Sequence, residues 1–273
     1  MPSHEFSRRE MLGLFGVGMA GLEACGFGGR EFYVKHNVPV IPAYSQEQFP
    51  PQHDVFLANP ESSYDLNPDP LFRAANVSVL IGSGGNAHAS LINNGNDYIL
   101  STAEHVARAV QYSSISSVQI PGVGTTLLDP ERFIFGTRHG KERETSAFYI
   151  FGEENQAIIK EAMSEKKIQP LQMKSGLPKK SEIVAIPQGE RGSYSLYQYD
   201  EYYPFENLFT LQGSSENCSG DSGSPILEIE KMQQSNEINP TGAFYGTLQG
   251  ASESRTELDG RACSSLIFAR PNR

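Results

Sequence analysis

Short runs of apolar and β-branched residues, separated by turn residues, dominate the chain from about residue 71 onward. "NVSVLIG" is followed by "AHASLI", the turn "NNGND" and "YILSTA", which is the pattern of a β-hairpin closed by an Asn-Gly turn. Many short strands at close spacing predict an all-β barrel or sandwich. The further strand candidates are SSVQI, TTLL, RFIFG, SAFYIF, EIVAI, YSLYQY, LFTLQG, SPILEI and AFYGTLQ.

Helical periodicity is limited to two segments. "AEHVARAV" comes directly after the hairpin and predicts a short helix. The charged "NQAIIKEAMSEKK" predicts either a surface helix or a loop insertion. Helical signals are therefore few, and the predicted fold class remains all-β.

Residues 1–24 have the pattern of an export signal. A twin arginine, Arg8-Arg9, precedes the uncharged and mildly apolar "MLGLFGVGMAGL", which is too short for a transmembrane helix. "LEACG" then resembles a bacterial lipobox, whose cysteine, here Cys25, carries lipid and becomes the mature N-terminus. The alternative is a short apolar helix that stays in the protein. We predict a twin-arginine lipoprotein signal, and hence a periplasmic or cell-surface protein anchored to a bacterial membrane.

A composition change separates this signal from the folded region. Residues 25–70 contain seven prolines interleaved with Asn, Gln, Ser and Asp, and their apolar periodicity is weak. This segment is either a tether or an N-terminal arm packed along the domain. Residues 71–273 form the predicted folded domain.

Charge and cysteine count narrow the class of partner and compartment. A net charge of −10 and a pI near 5.1 argue against a nucleic acid partner, because phosphate binding needs clustered Lys and Arg. If Cys25 carries lipid, Cys218 and Cys263 are left as a pair in an oxidising compartment, where a disulfide would persist.

The segment "NCSGDSGSPIL", residues 217–227, holds one serine hydroxyl in a glycine-rich loop ahead of an apolar strand. A serine nucleophile needs a base within hydrogen-bond reach and donors for the oxyanion that forms. Glycines around Ser222 let the amides of Gly220 and Ser222 point into one cavity. Read alone, the segment is equally compatible with a tight turn between strands.

A base is available in "YILSTAEHV", where His105 follows a strand and opens a helix. Together, "TAEH" and "GDSGSP", in this order, resemble the chymotrypsin-like serine peptidases. The resemblance implies two six-stranded antiparallel β-barrels with the active site between them, Ser222 as nucleophile and His105 as base, and peptide substrates. It also implies a disulfide between Cys218, four residues before the nucleophile, and Cys263. We predict neither a cofactor nor a metal.

The third member of the catalytic triad is not where the resemblance requires it. The family's aspartate sits just ahead of a strand like "SAFYI", and the aligned residue here is Thr145. Glu144, one residue earlier and one methylene longer, is the candidate acid that we name for the site. The alternatives are Glu104 or the more distant Glu142, or no acid at all, with Thr145 bonded to the imidazole.

The predicted substrate pocket is also irregular. Glu216 stands six residues before the nucleophile, at the pocket floor in the family, and would attract a basic side chain; its alternative is a solvated loop carboxylate. Leu266 stands where the family usually has glycine, so it would shorten or close the pocket. Gly250 ends "YGTLQG", which resembles the strand that pairs with substrate.

Two functions follow as hypotheses. The first is a serine endopeptidase that works through an acyl-enzyme. The second, motivated by Thr145 and Leu266, is a binding or adaptor protein of the cell envelope that kept the peptidase fold and lost efficient chemistry. An esterase with a G-x-S-x-G elbow is disfavoured, because "GDSGSP" lacks that motif and the histidine precedes the serine.

Overall fold

The fold is all-β, as predicted. A computed structural model describes residues 55–57, 69–82, 84–95, 97–113, 115–136, 144–188, 193–218, 221–230, 238–251, 256–258 and 261–272. The strands are β1 (Val77–Ile81), β2 (Gly85–Asn93), β3 (Tyr98–Ala103), β4 (Ser116–Ile120), β5 (Gly124–Leu127), β6 (Phe133–Phe135), β7 (Ser146–Ile150), β8 (Gln172–Met173), β9 (Ile183–Gln188), β10 (Ser193–Tyr203), β11 (Leu208–Cys218), β12 (Pro225–Ile229), β13 (Pro240–Ala251), β14 (Thr256–Leu258) and β15 (Arg261–Pro271). The helices are α1 (Pro70–Ala75), α2 (Glu104–Gln111) and α3 (Glu153–Ser164), with a 3₁₀ turn at Pro130–Arg132.

The strands form two sheets, and the predicted two-unit architecture is confirmed. The first sheet has the order β5-β4-β1-β2-β3-β7-β6. In the second, β15-β11-β10-β9-β12-β13 close into a ring because β13 also pairs with β15. The short strands β8 and β14 extend the second sheet beyond the six predicted strands, and the first sheet has seven. The sequence pattern missed β8 and β14 because two or three residues are too few to show alternation.

The first sheet wraps around its own hydrophobic core. Val77, Val79 and Ile81 alternate along β1 and are buried, as a half-buried strand requires. Helix α2 closes this core with Val106 and Val110, both fully buried. The base of α2, where the candidate histidine lies, is therefore fixed by packing.

The second sheet encloses a separate core. Its buried side chains come from six strands, β9, β10, β11, β12, β13 and β15. They are Val184, Ile186, Tyr197, Phe209, Leu211, Ile226, Tyr245, Leu248, Ile267 and Ala269.

A third cluster joins the two sheets. Ile92 and Ile99 from the first sheet pack with Leu227 and Phe244 from the second, and α1 contributes Leu71. Burying large aliphatic and aromatic side chains of this kind stabilises the contact by roughly 1.5–3 kcal/mol each. The two sheets are thus packed directly against one another through this cluster.

A polar network secures β12 immediately after the nucleophile loop. Lys174 Nζ donates to Glu228 of β12 and to the Tyr245 hydroxyl of β13, and Tyr245 donates to Glu182. Burial and the hydrogen bond to Glu182 raise the pKa of Tyr245 to about 12, so the phenol stays protonated as a donor. The network therefore links β12 to β13 and to the residue that precedes β9.

Both predicted helices are present as α2 and α3. Helix α3 is more than a surface insertion, because Ile159 and Ala162 are buried against the first sheet. Among the described residues, no helix is long and apolar enough to cross a membrane.

Part of the proline-rich segment packs on the domain. Phe56 is buried, and its ring centroid lies 5.4 Å from that of Phe151 with the rings tilted by 45°. The Phe56 amide donates to Asn155 Oδ1 at 2.8 Å. Leu57 forms a β-bridge with Thr125. Residues 55–57 therefore pack on the domain.

Candidate active site

His105 occupies the second position of α2, directly after β3. Its residue is only 3% exposed, and β3 is held between β2 and β7 by antiparallel pairing. Strand pairing before His105 and the first turn of α2 after it fix the backbone that carries the imidazole. This is the placement that the sequence predicted.

Glu144 meets the inner nitrogen of this imidazole. Its Oε2 lies 3.1 Å from His105 Nδ1, and the Glu144 side chain is 27% exposed. The contact follows from strand register, because Ala103 is paired with Ser146 and the residues just outside that pair therefore lie side by side. A protonated Nδ1 donates to the carboxylate, which selects the tautomer with a free lone pair on Nε2.

The alternative acids are engaged elsewhere. Glu104 Oε2 accepts from the Thr145 amide at 2.7 Å and from Thr145 Oγ1 at 3.3 Å. Thr145 Oγ1 also donates to Ser146 O at 3.1 Å, so its hydroxyl faces Glu104 and its own strand rather than the imidazole. Glu142 lies outside the described residues.

The loop that carries Ser222 is clamped from both sheets. On one side the His88 amide of β2 donates to Ser222 O at 2.8 Å. On the other, Gly223 N donates to Leu248 O of β13 at 2.9 Å, and Leu248 N donates to Ser224 O at 2.8 Å. The loop therefore bridges the two sheets through its backbone.

The same clamp reaches the strand that carries the histidine. Thr102, three residues before His105, donates its hydroxyl to His88 O at 2.7 Å. A Cβ at Gly223 would lie 1.8 Å from His88 O and 2.4 Å from Thr102 Oγ1, and Gly223 has φ +93°. Only glycine fits this approach, so the loop touches β2 and β3 right beside the histidine.

The candidate reactive atoms, Ser222 Oγ and His105 Nε2, have no hydrogen bonds among the described residues. Within the described residues, Ser222 makes no hydrogen bond through its amide or hydroxyl. His105 Nε2 is buried and has no hydrogen-bond partner in that same part of the chain. Gly220, the other predicted oxyanion donor, lies outside the described residues. A nucleophile, a base and one donor are thus available to an incoming group.

Sequence reasoning missed a histidine beside the loop. His88 and Asp221 are both buried, and His88 Nε2 lies 4.0 Å from Asp221 Oδ1. The signal available in the sequence was a histidine between two alanines in "NAHASLI", a polar residue inside an otherwise apolar strand. When His88 is protonated, the pair adds a charge contact to the backbone clamp.

The predicted pocket residues lie on neighbouring strands. Gly250 of β13 pairs with Phe268 of β15, and Leu266 of β15 is half-buried opposite Gln212 of β11. Gln249 is the extra residue of a bulge in β13, with both amide atoms buried and no hydrogen bond among the described residues. Glu216 falls in a part of β11 whose side chains lie outside the described residues.

Among known proteins, only solved structures match this chain. No family model and no curated protein matches the sequence. One matched structure is of a glutamic acid specific serine protease with a histidine triad in substrate binding, at 9% identity over 72% of this chain and 92% of that chain, TM-score 0.41. Others are the NSP4 proteinase from Equine Arteritis Virus (17% identity, 71% of this chain, 75% of that chain, TM-score 0.37) and the HtrA-type protease AlgW with tripeptide (14%, 78%, 60%, 0.43). Scores this low assign no function, and the fold rests on the strand order above.

Gly223→Ala is predicted to break the loop clamp. A methyl group must displace the His88 carbonyl and occupy a left-handed backbone region, so we expect a loss of about 2 kcal/mol or more in the free energy of unfolding. Protection of the His88 amide from hydrogen exchange should fall with it. Urea unfolding and exchange measured by NMR check both effects.

Gly95→Ala is the matched control. Gly95 also has positive φ, at +86°, but nothing lies within 4 Å of its Cβ position. This variant should lose only the backbone term and leave His88 protection unchanged. Equal effects of the two substitutions would contradict the clamp.

Proposed function

We propose that this protein is a serine endopeptidase of chymotrypsin-like fold. The observation that carries the proposal is the 3.1 Å contact between Glu144 Oε2 and His105 Nδ1, beside a serine loop clamped between the two sheets. A carboxylate bonded to an imidazole, with a serine loop beside them, is the set of groups that can activate a hydroxyl for acyl transfer.

In the proposed mechanism Ser222 Oγ attacks the carbonyl carbon of the scissile peptide bond. His105 Nε2 accepts the hydroxyl proton and then donates it to the leaving amine, while Nδ1 keeps its proton and its bond to Glu144. A water molecule, deprotonated by the same nitrogen, hydrolyses the ester and restores Ser222. The buried and unbonded state of Nε2 supports this role, since bonds between nucleophile and base often tighten only when substrate binds.

Negative charge that develops on the carbonyl oxygen needs donors already in place. We assign this role to the amides of Ser222 and Gly220, the first of which makes no hydrogen bond within the described residues. The bond from Ser224 N to Asp221 O at 3.1 Å restrains the peptide plane that contains this amide, and the clamp on Ser222 O and Gly223 N restrains the next plane. Such preorganised donors are worth about 100- to 1000-fold in turnover.

Glu144 differs from a buried aspartate in one respect that matters for rate. At 27% exposure its charge is partly screened by water, so its stabilisation of the imidazolium is smaller than in a closed site. The carboxylate still holds the ring orientation and the tautomer.

We propose that substrate lies along the end of β13. Gly250 pairs with β15 on one side. On the other side the pairing with β12 and the loop ends at Leu248, so within the described residues the strand has an open edge at Gln249 and Gly250 next to the Ser222 loop. An extended peptide can add to such an edge through backbone hydrogen bonds. Leu266 and Glu216 are the residues that we assign to the adjacent pocket, where a leucine limits its depth.

Labelling by a fluorophosphonate probe tests the chemistry. Wild-type protein should react, while Ser222→Ala and His105→Ala should not, and Glu144→Gln should react about 100-fold more slowly because the ring loses its orienting charge. Peptide hydrolysis should follow the same order. Ser164→Ala and Glu161→Gln, on the surface of α3, are the matched controls and should behave as wild type.

Absence of Ser222-dependent labelling in correctly folded protein would contradict the peptidase. The second hypothesis, a peptide-binding adaptor on the same fold, then predicts peptide affinity without turnover. Hydrolysis that disappears in both Ser222→Ala and His105→Ala excludes the adaptor.

We also propose export and anchoring through Cys25. The support is the sequence alone, since the signal and Cys25 lie outside the described residues. Cys25→Ser should move the protein from the membrane to the soluble fraction of a bacterial lysate, because a lipid on the cysteine thiol is lost. Membrane association that survives the substitution would contradict lipidation at this residue.

A disulfide between Cys218 and Cys263 is the last part of the proposal. The side chains lie outside the described residues, but the backbone register of β11 and β15 pairs the two positions directly. Cross-strand partners are about 4.5–5.5 Å apart at Cα, within the range that a disulfide spans. Mass analysis after alkylation should find both thiols blocked until a reductant is added. Two alkylated thiols in unreduced, exported protein would contradict the bond.

A further inference from the structure

Glu104 is a buried carboxylate that the proposed chemistry does not use. Its residue is 3% exposed, and it opens α2 immediately before His105. A charge in such a position is costly unless donors surround it. Its partners therefore indicate what the charge is for.

Each carboxylate oxygen of Glu104 has its own set of donors. Oε2 accepts from the amide and the hydroxyl of Thr145. Oε1 accepts from Arg108 Nε at 3.4 Å and from Arg108 Nη2 at 3.3 Å. The Glu104 amide in turn donates to Thr145 O at 3.1 Å. Glu104 and Thr145 are thus joined in both directions.

These bonds restrain both peptide planes of Thr145. The Thr145 amide lies in the same peptide plane as the carbonyl of Glu144. The 2.7 Å bond from this amide to Glu104 Oε2 therefore orients the peptide unit that begins at the candidate acid. The Thr145 carbonyl, held by the Glu104 amide, fixes the next plane. With its backbone direction set, the Glu144 side chain is aimed at His105 Nδ1.

Arg108 holds Glu104 from the other side. Its guanidinium lies 4.0 Å from the centroid of the Phe135 ring, on β6, and its side chain is 42% exposed. Among the described residues, Arg108 bonds to Glu104 but makes no hydrogen bond to Thr145 or Glu144. It contributes to the stability of the carboxylate without touching the segment that bears the acid, which makes it a useful control.

We propose that Glu104 is a positioning residue for the acid: it fixes the Glu144–Thr145 backbone so that Glu144 reaches His105 from one position before the family's aspartate. This inference rests on the proposed function. Glu104 touches no reacting atom, and its effect on turnover passes through Glu144. If Glu104 had only a structural role, it would stabilise the start of α2, and its substitution would not change the His105–Glu144 contact.

A double-mutant cycle on peptide hydrolysis separates these roles. Glu104→Ala should lower kcat about 10-fold and change KM by less than about threefold, because positioning is lost rather than binding. In a Glu144→Gln background the same change should have little further effect on kcat. Glu104→Gln keeps the shape and one acceptor for the Thr145 amide, and should retain most of the activity. If Glu104→Ala fails to fold, a loss of kcat in Glu104→Gln that is additive with Glu144→Gln overturns the inference.

Arg108→Met is the matched control. It removes the ion pair but leaves the bonds between Glu104 and Thr145, so it should reduce stability while changing kcat by less than about twofold. Additive losses from Glu104→Ala and Glu144→Gln, in protein with Ser222-dependent turnover, would overturn the inference and leave the peptidase intact.

A second readout does not need activity. In Ser222→Ala protein with ¹⁵N-labelled histidine, the Nδ1 proton of His105 should be protected from exchange with solvent by its bond to Glu144. Glu104→Ala and Glu144→Gln should both remove this protection, and Arg108→Met should not. If the protection depends on Glu104 but the protein with Ser222 intact shows no Ser222-dependent turnover, the positioning is supported and the peptidase is contradicted. Protection unaffected by Glu104→Ala would overturn the inference.

Discussion

The antiparallel pairing of β3 with β7 is the constraint on which the site depends. It places Ala103 opposite Ser146, and thereby sets the start of α2 beside the residues that precede β7. His105 and Glu144 are 39 positions apart in the sequence, and a register slip of one residue would turn every side chain of β7 to the other face. The contact at Nδ1 is therefore a consequence of sheet geometry, secured by the core beneath it.

The second requirement is that the serine loop meet this histidine from the other sheet. Backbone bonds from His88 and to Leu248 suspend the loop between β2 and β13, and the packed cluster around Ile92 and Phe244 keeps the sheets together. These bonds are made by the main chain. The close approach of the loop to β2 and β3 therefore depends on Gly223, which has no side chain, rather than on particular side-chain contacts. Function, in the proposed account, arises at this seam.

Much of the fold was predictable because the information is local. Alternating β-branched residues and an Asn-Gly turn indicate the strands, and "STAEHV" and "GDSGSP" indicate where a base and a nucleophile stand. In the second sheet the strands beyond the predicted six are the short edge strands β8 and β14, whose two or three residues show no period. Closure of the second sheet by β13 and β15 depends on long-range pairing that no local pattern contains.

The acid was the hardest part of the site to predict. Thr145 occupies the aligned position, and Glu104, Glu142 and Glu144 offered three carboxylates of the same chemistry. Glu104 and Glu144 differ in their partners. Buried Glu104 exchanges hydrogen bonds with Thr145, 41 residues away, whereas Glu144 contacts His105 Nδ1. Such a contact is set by tertiary structure, and neither spacing nor propensity reveals it. His88 escaped prediction for the same reason.

The carboxylate that orients His105 decides whether this site can work, and a high-resolution crystal structure of the unreacted protein identifies it directly. We predict a Glu144 oxygen within about 2.6–3.2 Å of His105 Nδ1, Glu104 bonded to Thr145, and Ser222 Oγ facing Nε2. A Glu144 side chain turned to solvent, with another group at Nδ1, would contradict this prediction.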